Sequence, residues 1–406
     1  MSEIALIGWG AVSAAGAGLD AQRRAWEHGA PATTAIDRSG GYHRANGARR
    51  GLKIPAGALD GLLSPRAARR MSPPSRFAVA AARLALEQAS LDDLDGESLA
   101  VVSATAYGPS SFTEALLRQI VVDPTSASPM YFTEAVANAP AAQVALAHGA
   151  LGPNLTVTQR DSGALSALGA AARIVRLGRA ERALVVAVDE LDPLLHAVLD
   201  RFGGSAAGDE DEVARPYDAE RSGFVTGEGA TAWVLERTDR PTAARRLGVL
   251  RAQFAGFDPD APASGWSRDP ERLAACLLRG LKREGIALDS IDAVVGGASG
   301  SRTGDRLEAG VLRRAWADRP LPTVVTPKAW FGEWSGAVLL GAALLAEGST
   351  ACATPGFQTP DPTLGLRPHI GGPLAARRLL VVSFAPGGAA AFLVFDRSSD
   401  GIEGSA

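Results

Sequence analysis

The chain has 406 residues, 46% hydrophobic and 21% charged, enough apolar material for a large core arranged as two domains or one duplicated unit. Its net charge of −3, without any Lys/Arg-rich run, argues against a nucleic-acid surface. Two cysteines, Cys276 and Cys352, exclude a disulfide framework or a CxxC site, and five histidines (His28, His43, His148, His196, His369) show no paired metal spacing, so neither metal nor cofactor is expected.

The first residues, Met1 to Gly8, carry no basic leader or cleavage site and run straight into a strand. No apolar run reaches membrane-spanning length, so a cytoplasmic protein is expected. β-branched and small residues predict strands over Ile4–Ile7, Leu99–Ala104, Ala183–Val188 and Thr231–Leu235. Helical spacing marks Ser75–Gln88, Ala141–His148 and Ala164–Leu177, the last stopped by Gly178. The pattern restarts with strands over Leu247–Phe254, Ala293–Gly296, Thr323–Thr326, Leu379–Phe384 and Ala390–Phe395. Helices are expected near Pro270–Glu284, Leu307–Trp316 and Ala337–Ala346. Cys276 and Cys352 fall within apolar patterns and are read as buried free thiols. Gly29–Gly51, Phe257–Asp269 and Gly356–Pro373 read as surface loops, and Arg397–Ala406 as a loose tail.

Two echoes suggest duplication. Gly163–Ala171 (GALSALGAA) resembles Gly336–Leu344 (GAVLLGAAL), and Gly227–Glu236 resembles Gly387–Asp396, each a Gly-rich turn into a closing strand. The Ala/Gly-rich pair predicts helices buried on all sides and approached closely by backbone. The expected halves are residues 1–240 and 241–406, joined through the polar segment Arg237–Arg246.

Ile7-Gly8-Trp9-Gly10-Ala11-Val12-Ser13 is similar to the opening strand and turn of the β-ketoacyl synthases, and Arg70-Met71 with the Phe77–Gln88 helix to their first interface region. Arg215-Pro216-Tyr217-Asp218, Arg221-Ser222-Gly223-Phe224-Val225 and Gly227-Glu228-Gly229 follow that family's long R-P-[FY]-D-x-x-R-x-G-F-x-x-G-E-G run. The resemblance covers nearly the whole chain. It implies an α/β thiolase-like fold, five-layered α-β-α-β-α, made of two duplicated halves.

The catalytic positions depart from the family. Counting from Gly152-Pro153-Asn154 to the following helix puts Asp161 where the family carries its acyl-accepting Cys, and a carboxylate cannot form a thioester. Ser299-Gly300-Ser301-Arg302-Thr303 matches the stretch that the first catalytic His opens. Ser299 stands at the His, Ser301 and Thr303 keep hydroxyls where the family holds a pantetheine arm, and Arg302 in place of a Gly is expected to narrow that channel. Lys328 and Gly332 are kept, but Glu333 takes the second His. In Ser383-Phe384-Ala385-Pro386-Gly387-Gly388, Pro386 replaces the residue whose N–H completes the oxyanion hole, and proline has none to lend. The degenerate positions are therefore Asp161, Ser299, Glu333 and Pro386, beside a vestigial pocket of Ser162, Ser301, Arg302, Thr303, Lys328, Trp330 and Phe384.

Asp161 and Glu333 are expected to face one buried cavity, either as an acid/base pair or, more simply, as a structural plug neutralised by Lys328 or Arg160. A serine hydrolase built on Ser162 lacks both a G-x-S-x-G turn and an assignable His. Trp330, Phe331 and Trp334 are expected to block the site mouth or shape a tunnel. Tyr107, Phe112, Met130, Tyr131 and Phe132 lie where the family builds its dimer interface and acyl-pocket floor.

The resemblance implies a chain-length-factor-like subunit. It would pair with a Cys-containing ketosynthase, shape the acyl pocket of a polyketide (polyene) or fatty acid system, and meet the acyl carrier protein through the complex. Two alternatives stand beside it: a decarboxylase or acyltransferase using Asp161, Glu333 and Ser162, and a non-catalytic homodimer that binds an acyl group or carrier protein.

Overall fold

A computed structural model describes residues 3–91, 96–206, 212–241 and 244–398; the expected tail lies mostly outside them. The strands are β1 (Ile4–Ser13), the two-residue β2 (Gly16–Ala17), β3 (Thr34–Ala35) and β4 (Arg50–Gly51), then β5 (Leu99–Ala104), β6 (Asn154–Val157), β7 (Arg182–Asp189) and β8 (Gly229–Arg237). The second half adds β9 (Gly248–Phe257), β10 (Ala293–Val295), β11 (Thr323–Val325), β12 (Arg378–Phe384) and β13 (Ala389–Arg397).

The long strands hydrogen-bond in the order β11-β10-β12-β13-β9-β1-β8-β7-β5-β6. Cut between β9 and β1, this order is one five-stranded arrangement used twice. Within each half the first strand pairs antiparallel with the last, the last antiparallel with the next, and the remaining three are parallel. The halves meet where β1 pairs β9 through Ile4–Leu250, Ala5–Val249 and Leu6–Gly248. Parallel neighbours need helical crossovers, which cover both sheet faces and make the strands apolar on both sides.

Successive side chains on one strand accordingly enter different cores. On β7, Ala183, Val185 and Ala187 point into the central core, while Leu184, Val186 and Val188 face the outer helices Pro73–Gln88 and Ala139–His148. On β12, Leu379 and Val381 point inward, and Leu380 and Val382 face Pro270–Arg283 and Arg302–Trp316. Outer helices, sheet, central helices, sheet and outer helices make the five layers.

The central layer holds the two echoed helices, Gly163–Arg176 and Ala337–Ala346. All ten residues of the second are buried. The first departs from expectation, because Arg173 and Arg176 emerge at its C-terminal end before Gly178, in the left-handed region, terminates it. On β1, the positions of Cβ atoms at Gly8 and Gly10 would lie 2.5 Å from the carbonyl oxygens of Ala85 and Ala81. Only glycine lets the Pro73–Gln88 helix lie this close to the strand.

Several elements lacked a clear sequence signal: the helices Leu19–His28, Ser110–Val122, Pro129–Ala135 and Pro193–Arg201, and the strand β6. The cysteines are free but only half-buried, and Cys352 sits in irregular chain after the second central helix rather than in an apolar element. Among the described residues, no helix is long and apolar enough to cross a membrane.

Candidate functional site

β6 delivers the chain to a tight turn whose Arg160 has φ 48°, uncommon for a non-glycine residue. Arg160, Asp161 and Ser162 form a single 3₁₀ turn that opens directly into the first central helix. Ser383 Oγ, at the end of β12, donates to the Asp161 carbonyl at 2.8 Å and ties the second half to this turn. Ser162 is buried and spends its hydroxyl on the Gln159 carbonyl at 2.9 Å, so no nucleophile is presented there.

Opposite lies the short helix Lys328–Phe331, which follows β11. Gly332, at φ 84°, turns the chain so that Glu333 N donates to the Val225 carbonyl at 2.8 Å and the Glu333 carbonyl accepts from Gly227 N at 3.2 Å. A Cβ on Gly227 would lie 2.6 Å from the Phe331 carbonyl, so the Gly227-Glu228-Gly229 motif seats this loop by close contact. Glu228 fixes the neighbouring chain by accepting from Ile54 N and Leu191 N at 2.9 and 3.0 Å.

Between the two turns, Lys328 Nζ donates to Asp161 Oδ1 at 2.8 Å and also to Glu333 Oε1. Lys328 is almost wholly buried (3% exposed), whereas Asp161 and Glu333 retain 14% and 12% exposure. Burial disfavours charge on every member. For Asp161 it is outweighed by the Lys328 ammonium and by hydrogen bonds from Glu333 and Lys328, which hold this carboxyl below the usual range. For Glu333, burial and the neighbouring Asp161 charge prevail, and its carboxyl is raised. Lys328 is held firmly protonated: burial opposes its charge, but the two carboxyls more than offset it. The triad thus pairs one ammonium with two carboxyls driven apart in proton affinity, Asp161 lowered and Glu333 raised. Of the two cations expected as plug, Lys328 fills the role and Arg160 does not.

Tyr107 lies beside the triad at the first half's surface. Although Tyr107 is 41% exposed overall, its phenol is raised, first by burial and then by the nearby Asp161, Glu333 and Asp189 carboxyls, with Arg160 opposing. Asp189 accepts from Thr105 Oγ1, Ala106 N, Ser335 N and Ser335 Oγ, and so joins the Tyr107 turn to the chain just after Glu333.

Ser299 is buried, its backbone N donating to Asp305 Oδ1 at 3.1 Å, and Ser301 caps the Arg302–Trp316 helix through Gly304 N at 3.2 Å. A cavity of only about 10 Å³ remains here, lined by Ser299, Ser301, Asp305, Glu308, Phe384 and Trp266. That is room for about one water molecule. Arg302 does not narrow it: its side chain turns outward and donates to the Arg221 carbonyl at 3.0 Å. Trp266 lines the same cavity, its ring 3.0 Å from the position of a Cβ on Gly304. Sequence reading missed Trp266, which stands alone in a loop without motif. Beyond it opens a cleft of about 920 Å³ bearing Thr303, Arg268, Arg306, Arg313 and Arg314.

The aromatic cluster corrects its expected role. Trp330 and Phe331 are fully buried against Trp26, with ring centroids 4.6 and 6.1 Å apart, and Trp334 donates to the Phe331 carbonyl. All three pack into the central core rather than at a mouth. Phe384 packs edge-on against Phe392. Pro386 occupies the turn between β12 and β13, where its neighbours Ala385 and Gly387 donate to the Ala389 and Gly265 carbonyls.

The remaining candidates share one surface. Phe112 and Tyr131 touch with centroids 5.1 Å apart, joining Ser110–Val122 to Pro129–Ala135. Around them Tyr107, Val121, Val122, Met130 and Phe132 are exposed, the two valines at 84% and 86%. β6, the outermost strand, has Leu155 exposed and no strand on its far side among the described residues. The opposite edge differs: β11 is covered where His369 N donates to the Val324 carbonyl at 2.7 Å. Among the described residues no group of three or more His, Cys, Asp or Glu is placed to hold a metal ion.

Two duplicated sheets around paired central helices, with a turn at the start of the first of those helices, are the architecture of thiolase-fold ketosynthases. Residues 1–240 match the family description "Beta-ketoacyl synthase, N-terminal domain", and the chain belongs to the β-ketoacyl synthase family. It is 30% identical over 323 residues to the granaticin polyketide putative β-ketoacyl synthase 1 of Streptomyces violaceoruber, covering 75% of this chain and 76% of that protein. Its fold matches a solved ishigamide ketosynthase/chain length factor with a TM-score of 0.85 at 24% identity, covering 98% of this chain and all of that one. It also matches a chain of AntDE:AntF, a type II acyl-carrier protein in complex with its ketosynthase bound to the hexaketide. There the TM-score is 0.86 at 21% identity, again covering 98% and 100%.

Proposed function

We propose that this chain is a catalytically inactive, chain-length-factor-like subunit that pairs with a Cys-containing ketosynthase and shapes the acyl-chain pocket of a type II polyketide system. One observation carries the reading: Asp161, which the family resemblance sets at the nucleophile position, is locked to Lys328 and Glu333. A condensation needs a thiolate, donors for an oxyanion and room for two thioesters. By that resemblance an ion cluster takes the thiolate's place, Pro386 has no N–H, and Trp266 lines the small cavity beside Ser299. The Lys328 ammonium, which bonds both carboxyls, weighs against a decarboxylase or acyltransferase built on Asp161 and Glu333, since both are already engaged.

The partner reading rests on the bare β6 edge and the exposed apolar residues of Ser110–Val122 and Pro129–Ala135. An open strand edge and an exposed apolar patch are liabilities that a second subunit removes. Phe112 and Tyr131, just behind this surface, would then bound an acyl chain reaching across from the partner's thiol. The arginines of the Trp266 cleft offer an acidic carrier protein a complementary surface on the same complex. In this reading the complex works in the cytoplasm, and the chain divides at residues 240/241 into its two halves.

Co-expression with a neighbouring ketosynthase tests the assembly. A one-to-one complex, with condensation lost on mutation of the partner's cysteine and kept in Asp161→Asn and Glu333→Gln, supports the reading. A stable homodimer with its own condensing, decarboxylating or acyl-transfer activity overturns it.

A further inference from the structure

Away from the triad, two histidines meet edge to edge. His196, fully buried on the Pro193–Arg201 helix, places Nε2 3.1 Å from the Arg50 carbonyl and Nδ1 2.8 Å from His43 Nε2. A carbonyl only accepts, so His196 Nε2 carries the hydrogen. Neutral His196 therefore accepts at Nδ1, and His43 donates from Nε2. His43 Nδ1 is left as a bare lone pair, buried and without a partner.

One added proton has two places to go, with the same consequence. On His43 it creates an N–H at Nδ1 directly. On His196 it makes Nδ1 a donor, which forces His43 into the tautomer whose hydrogen sits on Nδ1. Either way a buried N–H faces no acceptor, and a second proton sets two donors against each other 2.8 Å apart. We infer that the His43–His196 pair is a proton-sensitive latch that holds the loop 37–50 closed on the Pro193–Arg201 helix and releases it on acidification.

The charges around the pair are compatible with this. Burial, then the Arg38 charge, lowers His43, with Asp200 opposing; burial also lowers His196, opposed first by its bond to Arg50. On the helix, Asp200 accepts from Arg44 Nη2 and Ala48 N, both at 3.1 Å, and is held ionised because these bonds outweigh its burial. Glu212 accepts from Arg49 N and Arg50 N and is raised by burial, so its protonation favours the closed loop and acid does not release the loop through it. From the Ser110–Val122 helix, Glu114 receives Tyr42 Oη, and Arg118 lies over the Tyr42 ring. Arg201 donates to the Tyr42 carbonyl at 3.1 Å.

Hydrogen–deuterium exchange of residues 37–50 in the full chain, corrected for intrinsic rates, tests the latch. Opening is expected to rise by up to about tenfold per pH unit below about pH 6.5. His43→Gln should flatten this dependence, because the amide can either donate to His196 Nδ1 or, turned over, accept from it. A pH-independent wild-type loop, or the same acid profile in a folded His43→Gln chain, overturns the inference. Ring titration by NMR needs no variant: both imidazoles should titrate below about 6.5, and either one titrating above it is equally fatal. All of these measurements are made on the chain alone, so they stand or fall separately from the proposed pairing with a ketosynthase.

Discussion

Lys328 Nζ lies 2.8 Å from Asp161 Oδ1 while bonding Glu333, so one ammonium serves the two side chains that the family resemblance sets at the thiol and second imidazole positions. A buried ion cluster of this kind is weak evidence for stability, yet removing one member leaves uncompensated charge in a dry site. The lysine, kept from the family pattern, has become the counter-ion of the residues that replaced the chemistry.

Lys328→Met should therefore destabilise the chain by about 3–5 kcal/mol in urea unfolding. Adding Asp161→Asn and Glu333→Gln should restore most of that loss. Additive losses across the three substitutions would show that they do not act as a unit.

The triad also sets a pH dependence. Glu333 has its folded pKa raised above its unfolded value, so the folded state binds the extra proton, and stability falls as pH rises from the unfolded value towards the folded one. Asp161 is lowered, so its contribution is lost only as pH falls through its depressed value. Glu333→Gln should flatten the alkaline decline in Tm without altering the acid limb. An unchanged alkaline slope in that variant would place the responsible group elsewhere.

Restoring the thiol alone should not restore condensation. In Asp161→Cys, product formation should stay at background, since Pro386 alone removes a donor typically worth about 10²–10³ in rate. Turnover above background from this single substitution, measured with acyl-carrier substrates, would contradict the inactive reading.

On the exposed face, Val121→Glu with Phe132→Asp should weaken association with a ketosynthase at least about tenfold, while the chain's own stability shifts by no more than about 0.5 kcal/mol. Equal affinity in size-exclusion or calorimetric titration would move the interface off these helices.

Gly10→Val should destabilise by about 1–3 kcal/mol or more, because its Cβ alone would meet the Ala81 carbonyl oxygen at 2.5 Å. Near-neutral stability would mean that the helix can slide on β1.

Much of the scaffold was legible because its signals are local. The Arg215–Gly229 run reads clearly because each member has a fixed structural duty. The Asp218 carboxylate accepts from Gln358 N and Thr359 N at 2.7 Å, and Arg221 pairs Asp361 at 2.7 Å. The echo of the two central helices is likewise visible in their Ala/Gly content. The helices Ser110–Val122 and Pro129–Ala135 were not read as helices, because a partner-like surface erases the polar/apolar contrast on which periodicity depends. Trp330 and Phe331 were placed at a mouth because sequence gives adjacency to Glu333 but not direction; Gly332 turns the chain between them.

Sequence alone determined that Asp161, Ser299, Glu333 and Pro386 stand where the family resemblance sets the nucleophile, both imidazoles and one oxyanion donor, since those are questions of residue identity. Only the tertiary structure decided what those residues meet. Asp161 and Lys328 stand 167 residues apart, and no local rule says that one ammonium will meet both carboxyls. Nor does any local rule say that Trp266, and not Arg302, lines the cavity beside Ser299. Charge balance and space filling are settled among side chains from different halves of the chain, where burial makes an unpaired charge or a void too costly to keep.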